Sequence, residues 1–266
     1  MPSFGLIIVG DEILSGKRQD KHLPKVIELL AERGLQLAWA RYVGDDRERI
    51  TATLREAFAS GDIVFSCGGI GATPDDHTRQ AAAAALERPL ELQPEAAELI
   101  RERMRDVARE QGLPYEPERA DNQHRLNMGM FPAGAEIIPN PYNKIAGFSV
   151  GDVHFVPGFP VMAHPMVAWV LDQRYAGLHG GMRQRERSLI VMGAMEAALT
   201  PLMEAVEAAH PGIKVFSLPS VDHPQWGRHI ELGVKGAAEA VPAAFEQLRS
   251  GLVAVDAQLG PEMVRD

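Results

Sequence analysis

Short apolar runs alternate with amphipathic helix patterns through residues 4–86, and this alternation constrains the fold more than any other feature of the sequence. The runs at 4–9 and 62–67 are apolar at most positions, which is typical of strands buried on both faces of a parallel sheet. Helix, strand and helix patterns lie between them at residues 23–30, 35–43 and 50–58. The sequence therefore predicts an α/β domain with three αβα layers and a mostly parallel sheet.

A second, smaller domain is predicted after residue 185. The first domain continues with helix patterns at 76–86, 96–107 and 160–174 and strand patterns at 136–138, 147–150 and 153–156. Residues 111–125 look like a polar connection, and residues 175–185, rich in glycine and charge, look like an exposed linker. Strand patterns then follow at 187–192, 213–218 and 229–234, helix patterns at 196–209 and 237–254, and a tail at 255–266. We expect a large α/β domain at 1–174 and a small α+β domain at 186–266.

The composition limits the partners of the protein. The formal net charge of −9 disfavours nucleic acid and anionic membrane surfaces, since both need a basic face. The apolar stretch at 160–171 is interrupted by His164 and Pro165 and is too short to span a bilayer. No secretion signal precedes the first strand, and the single cysteine, Cys67, forms no intramolecular disulfide. We expect a cytoplasmic homo-oligomer that binds neither nucleic acid nor membrane.

The segment Cys67-Gly-Gly-Ile-Gly-Ala-Thr-Pro-Asp-Asp-His-Thr78 carries the strongest functional signal. Its glycines follow a buried strand and precede a helix, so backbone N–H groups and a helix N-terminus can face an anion. A tight turn with Asp75 or Asp76 as the helix cap would use the same glycines, but the polar side chains Thr73, Asp76 and Thr78 favour a ligand site. No Lys-Ser or Lys-Thr follows, and Pro74 replaces the third glycine of a dinucleotide-binding motif, which disfavours kinase and dehydrogenase functions.

A second polar segment, Gly10-Asp-Glu-Ile-Leu-Ser-Gly16, leaves the first strand. Loops that follow parallel strands lie at the same edge of a sheet, so loops 10–20, 44–46 and 68–78 should form one cleft. One carboxylate alone is typical of a solvated cap, but several from these loops could converge there: Asp11, Asp20, Asp45 and Asp76. Such a cluster suits Mg²⁺ or a related hard cation beside a pyrophosphate.

Three motifs, in this order, resemble the N-terminal domain of the CinA (competence-damage-inducible) family. They are Gly10-Asp-Glu-Ile-Leu-Ser-Gly16, Val43-Gly-Asp-Asp46 and Gly68-Gly-Ile-Gly-Ala-Thr-Pro-Asp-Asp-His-Thr78. The resemblance covers roughly residues 4–172 and extends to the molybdopterin-binding domains of MogA, MoaB and gephyrin and to the domain fused to eukaryotic FAD synthase. CinA-type domains are associated with metal-dependent pyrophosphate hydrolysis of ADP-ribose, and Mog-type domains adenylylate molybdopterin. The sequence stops where CinA continues into its amidohydrolase domain, so we expect no nicotinamide-mononucleotide deamidation.

The resemblance also implies which residues form the site. Asp45 and Asp76 match the functional acids of the family, and we expect Asp76 and Asp11 to hold the metal ion. The implied ligand-binding residues are Gly10, Asp11, Glu12, Ser15, Gly16, Asp20, Gly68, Gly69, Gly71, Thr73, Asp75, Thr78, Asn140, Pro157 and Gly158. The expected cofactor is a divalent metal such as Mg²⁺, and the expected ligand is molybdopterin, another pterin or a nucleotide.

Three functions remain open at this point. The first is a metal-dependent nucleotide pyrophosphatase or nucleotidyl-transfer enzyme, in which Asp45 or Asp76 positions or deprotonates water. The second is a non-catalytic module that carries molybdopterin or a nucleotide, which Ala72 and His22 favour because they replace residues usual in the family. The third is an oligomerisation partner that has lost its site, which the intact carboxylates at 11, 20, 45, 75 and 76 disfavour.

Overall fold

A computed structural model describes residues 2–180 and 184–265. The chain divides into two compact units, Met1–His179 and Gly180–Asp266. Of the predicted linker at 175–185, residues 181–183 lie outside the described residues, and Tyr175 is buried within the first unit. None of the helices in the described part of the chain is long and apolar enough to cross a membrane.

The first unit is built from short strands that alternate with helices. Its strands are β1 (Phe4–Val9), β2 (Leu37–Val43), β3 (Ile63–Cys67), β4 (Leu90–Leu92), β5 (Met130–Pro132), β6 (Glu136–Ile138), β7 (Gly147–Val150) and β8 (Val153–Val156). Its helices are α1 (Asp11–Leu14), α2 (His22–Ala31), α3 (Arg47–Ser60), α4 (Thr78–Leu86), α5 (Pro94–Glu110), α6 (Ala120–Arg125) and α7 (Pro160–Arg174). Single 3-10 turns follow α6 and α7 at Leu126–Gly129 and Ala176–Leu178.

The main sheet of this unit runs in the order β2-β1-β3-β8-β7-β6. β1 pairs in parallel with β2 and β3, and β3 pairs in parallel with β8. β7 and β6 then add two antiparallel pairings at one side. The mostly parallel sheet is confirmed, and β3 lies inside it rather than at an edge, as its fully buried residues require.

Helices cover both faces of the sheet, because successive strand residues point to opposite sides. Phe4, Leu6 and Ile8 pack on one face with apolar residues of α2 and α7. Ile7 and Val9 pack on the other face with residues of α3, α4 and α5. The three-layer αβα fold is therefore confirmed, and the carboxyl ends of β1, β3 and β8 bring their following loops to one edge.

The second unit is a separate α+β fold, as the sequence predicts. It consists of β9 (Gln184–Met192), α8 (Glu196–Ala209), β10 (Lys214–His223), β11 (Gly227–Ala237), α9 (Val241–Ala254) and β12 (Gln258–Arg265). The strands form an antiparallel sheet in the order β10-β11-β9-β12, and α8 and α9 share its apolar core. Each edge strand contains a proline, Pro219 in β10 and Pro261 in β12.

Three local predictions are wrong. The expected tail at 255–266 contains β12, which pairs with β9; its register shifts between Leu259 and Glu262, so its apolar residues do not alternate regularly. The expected connection at 111–125 contains α6, a polar helix held by a local bond from the Asn122 amide to the Glu116 carbonyl and by a long-range bond from Nε2–H of His124 to the Ala72 carbonyl. The expected loop at 10–20 starts with α1, where two acidic residues in the first turn complement the helix dipole.

A chain of buried polar groups ties β7 and β8 to the end of α7. The Ser149 hydroxyl lies 2.8 Å from Nδ1 of His154, whose Nε2 lies 2.7 Å from the Tyr175 hydroxyl. Tyr175 donates to the Asp152 carboxylate at 2.7 Å, so its oxygen accepts from Nε2–H and Ser149 donates to Nδ1. Burial lowers the pKa of His154 to about 4, and its imidazole is therefore neutral near pH 7.

Candidate functional site

The glycine loop that follows β3 is wedged between the ends of β1 and β8. Gly68 adopts a φ of +108°, and a Cβ there would overlap the carbonyl oxygen of Val9. Its N–H donates to the Val156 carbonyl at 3.0 Å. Gly69 has a φ of +69°, and a Cβ there would overlap Oγ1 of Thr78. Side chains are excluded at both positions, so the loop presents backbone rather than side chains at the strand ends.

Thr78, the first residue of α4, holds this loop in place. Its side chain is fully buried, and its hydroxyl donates to the Gly68 carbonyl at 3.0 Å. Its backbone N–H donates to the Gly69 carbonyl at 2.9 Å. Thr78 therefore positions the loop, and its hydroxyl is already used within the protein.

Asp76 closes the turn between the glycine loop and α4. Its Oδ2 accepts from the Thr73 N–H at 2.8 Å and from the Thr73 hydroxyl at 2.5 Å. These two bonds use only one carboxylate oxygen, Oδ2, and do not involve Oδ1. The carboxylate is thus held in one orientation beside the cavity that it lines.

Asp11 and Asp45 are joined by two reciprocal hydrogen bonds. The Asp11 N–H donates to Oδ2 of Asp45 at 2.9 Å, and the Asp45 N–H donates to Oδ1 of Asp11 at 3.2 Å. Burial raises the pKa of the Asp45 carboxyl, and the negative charges of Asp11, Glu12 and Asp75 raise it further, whereas the bond from the Asp11 N–H opposes the rise. Loops 10–20, 44–46 and 68–78 therefore bring acidic groups into mutual electrostatic contact.

A cavity of about 450 Å³ opens between these loops. Eleven of the site residues predicted from the sequence line it: Gly10, Glu12, Asp45, Gly68, Gly69, Gly71, Thr73, Asp75, Asp76, Pro157 and Gly158. They come from the ends of β1, β2, β3 and β8, at the edge where the strand order predicts a ligand site.

The other predicted residues lie outside the cavity wall: Asp11, Ser15, Gly16, Asp20, Thr78 and Asn140. Asp20 accepts from the N–H groups of His22 and Leu23 at the start of α2 and from the Tyr42 hydroxyl. Burial, followed by this bond to Asp20, raises the pKa of Tyr42 to about 12.

Asn140 acts from behind the cavity wall. It is 4% exposed, and its amide donates to Oδ1 of Asn143 at 2.8 Å and to the Ile145 carbonyl at 2.9 Å. Asn143 and Ile145 themselves line the cavity. The role that the structure supports for Asn140 is therefore the positioning of a wall segment.

Sequence reasoning missed a cationic and an apolar part of the wall. Arg18 lines the cavity, as do the apolar residues Met128, Ile145, Phe159 and Met162. Phe159 is 57% exposed, so this cavity residue leaves much of its aromatic side chain accessible. The signal for Phe159 was its place directly after Pro157 and Gly158, whereas Met128 and Met162 carry no sequence signal that separates them from core methionines.

His22 links two sides of the site. Its Nε2 lies 3.1 Å from the Gly158 carbonyl, so Nε2–H donates to the loop between β8 and α7. The His22 ring is 4% exposed and packs edge-on against His164, with ring centres 5.4 Å apart. His22 therefore fixes the position of Gly158 in the cavity wall without reaching the cavity itself.

The acidic side chains at the cavity could hold a metal ion only if a bound ligand supplied further oxygen atoms. Within residues 2–180 and 184–265, no three metal-ligating side chains come close enough to hold an ion by themselves. One carboxylate oxygen of Asp11 and one of Asp45 accept a hydrogen bond from the backbone N–H of the other residue. Mg²⁺ is commonly held by one or two carboxylates plus phosphate oxygens of a substrate, and Asp45 and Asp76 at the cavity fit that pattern.

Comparison with known proteins identifies the family. Residues 5–176 match the family described as "Probable molybdopterin binding domain". The chain is 30% identical over 270 residues to a CinA-like protein of Geobacter metallireducens, a match that covers 97% of this chain and 60% of that protein. The protein belongs to this molybdopterin-binding-domain family, and it is similar in sequence to CinA-like proteins.

Two further matches help to define the group. A Pyrobaculum calidifontis protein is 30% identical over 258 residues, covering 93% of this chain and 95% of its own length. The crystal structure of CinA from Thermoplasma acidophilum, a protein of unknown function, superposes with a TM-score of 0.53 at 26% identity, covering 64% of this chain and 96% of that one. The chain spans 60% and 40% of two CinA-like relatives, from Geobacter metallireducens and an Anaeromyxobacter strain.

Proposed function

We propose that the cavity binds a phosphate-bearing pterin or nucleotide and that the protein is a metal-dependent pyrophosphatase for ADP-ribose-like compounds. The observation that carries the proposal is the pairing of two unlike walls in one cavity. The glycine loop offers backbone N–H groups suited to phosphate, and Met128, Phe159 and Met162 offer an apolar surface suited to a flat ring. A compound with both a ring and a phosphate matches both walls.

The acidic residues supply the chemistry in this proposal. A divalent metal, when bound with the substrate, would polarise the phosphoryl oxygens. Asp76, held by Thr73 through Oδ2, has Oδ1 available to orient a water molecule. Asp45, whose carboxyl pKa is raised by burial and by neighbouring carboxylates, is suited to exchange a proton nearer to neutral pH than an ordinary aspartate.

The test is hydrolysis of ADP-ribose by the full chain with Mg²⁺, Mn²⁺ or Co²⁺. Asp76→Asn keeps the size of the side chain and removes its charge, so the rate should fall by about 10² or more, as for a general acid–base group. Asp46→Asn is the matched control, because Asp46 caps α3 through a side-chain oxygen that asparagine also has. Equal turnover by wild type and Asp76→Asn would show that the catalytic site lies elsewhere in the protein.

One observation favours a second function, a binding module without turnover. The Asp11 and Asp45 carboxylates accept hydrogen bonds from backbone N–H groups. In the described part of the chain, no three metal-ligating side chains lie close together. Mass spectrometry of co-purified small molecules, combined with the hydrolysis assay, distinguishes the two functions. A bound pterin or nucleotide, together with no hydrolysis in the presence of any of the three metals, would support the binding module. If the protein showed neither binding nor turnover, both proposed functions would be refuted.

A further inference from the structure

A second cavity adjoins the first at the segment that carries Asp76. It has a volume of about 470 Å³, and Ala72, Thr73 and Asp76 line both cavities. Its wall differs in charge from that of the first, because its described lining residues include Arg47 and Arg79 and a single acidic residue, Asp76. We call this second space the arginine cavity.

Arg79 is buried, and it forms no ion pair with any carboxylate of the described residues. It is 4% exposed, and among the described residues its side chain donates only to the Gly71 carbonyl, at 2.5 Å from Nη2. Its Nε is buried and has no hydrogen-bond partner in that part of the chain. A guanidinium has five N–H donors, so most of those on Arg79 are unused. Burial lowers the pKa of Arg79, and the nearby charge of Asp76 only partly opposes this.

Arg47, the first residue of α3, adds a second positive charge to the wall. Several other arginines of the first unit are ion-paired, among them Arg33 with Asp172, Arg41 with Glu56 and Arg174 with Glu136. Within residues 2–180 and 184–265, neither Arg47 nor Arg79 has such a carboxylate partner. In a protein of net charge −9, two unpaired arginines on one cavity are a local excess of positive charge.

The remaining polar groups of the wall do not neutralise this charge. His124 uses Nε2–H to donate to the Ala72 carbonyl at 2.8 Å, and its Nδ1 lies 3.3 Å from the Asn127 amide. His77 also lines the cavity, and an imidazole adds no negative charge to the wall. Asp76 turns one oxygen toward Thr73. The wall is therefore cationic, with donors in excess of acceptors.

We propose that the arginine cavity is a separate anion site that binds the phosphate group of a small phosphorylated molecule. The fork of Arg79 would donate to the phosphate oxygens, and Arg47 would supply the second charge. A phosphate would give the buried Arg79 the counter-ion that the protein itself does not provide. The site does not depend on what the first cavity binds or on whether the protein is an enzyme.

Calorimetric titration of the full chain with inorganic phosphate at constant ionic strength tests the proposal. Wild type should bind phosphate in the millimolar range, and Arg47→Gln should weaken binding about tenfold, the effect of losing one hydrogen bond to a charged group. Arg79→Met should abolish the binding. Arg55→Gln is the matched control, because Arg55 lies on α3 two turns further on and outside the cavity.

Two more variants test which cavity binds the phosphate and whether phosphate binding is independent of the proposed hydrolysis. Arg18→Gln alters the first cavity alone, so phosphate binding should survive it. Asp76→Asn should strengthen phosphate binding, since it removes the one negative charge among the described residues of this wall, whereas it should reduce ADP-ribose hydrolysis.

Three results would overturn the anion site. They are an absence of phosphate binding to wild type, an unchanged affinity in Arg47→Gln, and a loss of affinity in Arg18→Gln that exceeds the loss in Arg47→Gln. Arg47 is exposed, so its variant should fold even if Arg79→Met does not. A thermal unfolding scan of Arg79→Met checks this, and a folded Arg79→Met that still gains stability from phosphate would also refute the proposal.

Discussion

Replacement of Gly68 by alanine should disrupt the glycine loop through two separable costs. The φ of +108° costs an L-residue about 1–2 kcal/mol, and the overlap of the new Cβ with the Val9 carbonyl costs about 1–3 kcal/mol, since a buried strand end cannot move aside. The lower entropy of an unfolded chain with alanine offsets about 0.4–1 kcal/mol. We expect Gly68→Ala to lower the free energy of unfolding by about 3 kcal/mol.

Gly61→Ala is the control that isolates the backbone cost. Gly61 ends α3 with a φ of +73°, and no atom lies within 4 Å of the position that a Cβ would take. It should therefore lower the free energy of unfolding by only about 1 kcal/mol. Urea unfolding followed by tryptophan fluorescence measures both, since Trp39 and Trp169 lie in the first unit. If Gly68→Ala cost no more than Gly61→Ala, the steric argument would be refuted.

Two further predictions concern buried titratable groups. Burial raises the pKa of the Cys67 thiol, so native protein should not react with a thiol reagent on a timescale of minutes but should react fully in urea; fast labelling of native protein would contradict this. His154 titrates near pH 4 when folded and near 6.5 when unfolded, so the unfolded chain binds the extra proton between these values. The free energy of unfolding should fall by about 3 kcal/mol as the pH drops from 6.5 to 4. Urea titrations across that range should show a smaller fall in His154→Gln, and equal slopes would argue against a neutral buried imidazole.

The sequence predicts those parts of the fold whose local residue pattern is compatible with only one kind of secondary structure. β1 and β3 are apolar on both faces, a pattern that fits strands at the centre of a covered sheet. α6 lacks an apolar stripe, and it is stabilised by contacts such as the bond from His124 to the carbonyl of the sequence-distant Ala72, which no local pattern records. β12 lies at a sheet edge with an irregular register, so periodicity alone could not distinguish it from a tail.

The site is predictable only where polar residues follow strands in a recognisable order. Gly68 and Asp76 lie on such a segment, and the structure places both at the cavity. Met128 and Phe159 reach the same cavity from distant segments, and apolar residues are equally common in the core. Thr78 and Asn140 were expected to touch a ligand, yet both use their polar atoms to hold backbone in place. A motif identifies the residues that a site needs, without separating those that touch a ligand from those that support it.

The prolines in the outer strands of the second unit limit how this sheet can grow. A free strand edge is a template on which another molecule can add its own strand. Pro219 in β10 and Pro261 in β12 each remove an N–H that such an added strand would need, and β12 also has a register shift next to its proline. Concentrated solutions of the protein should therefore resist fibril formation through this sheet, and any self-association should use side-chain surfaces instead of shared strands.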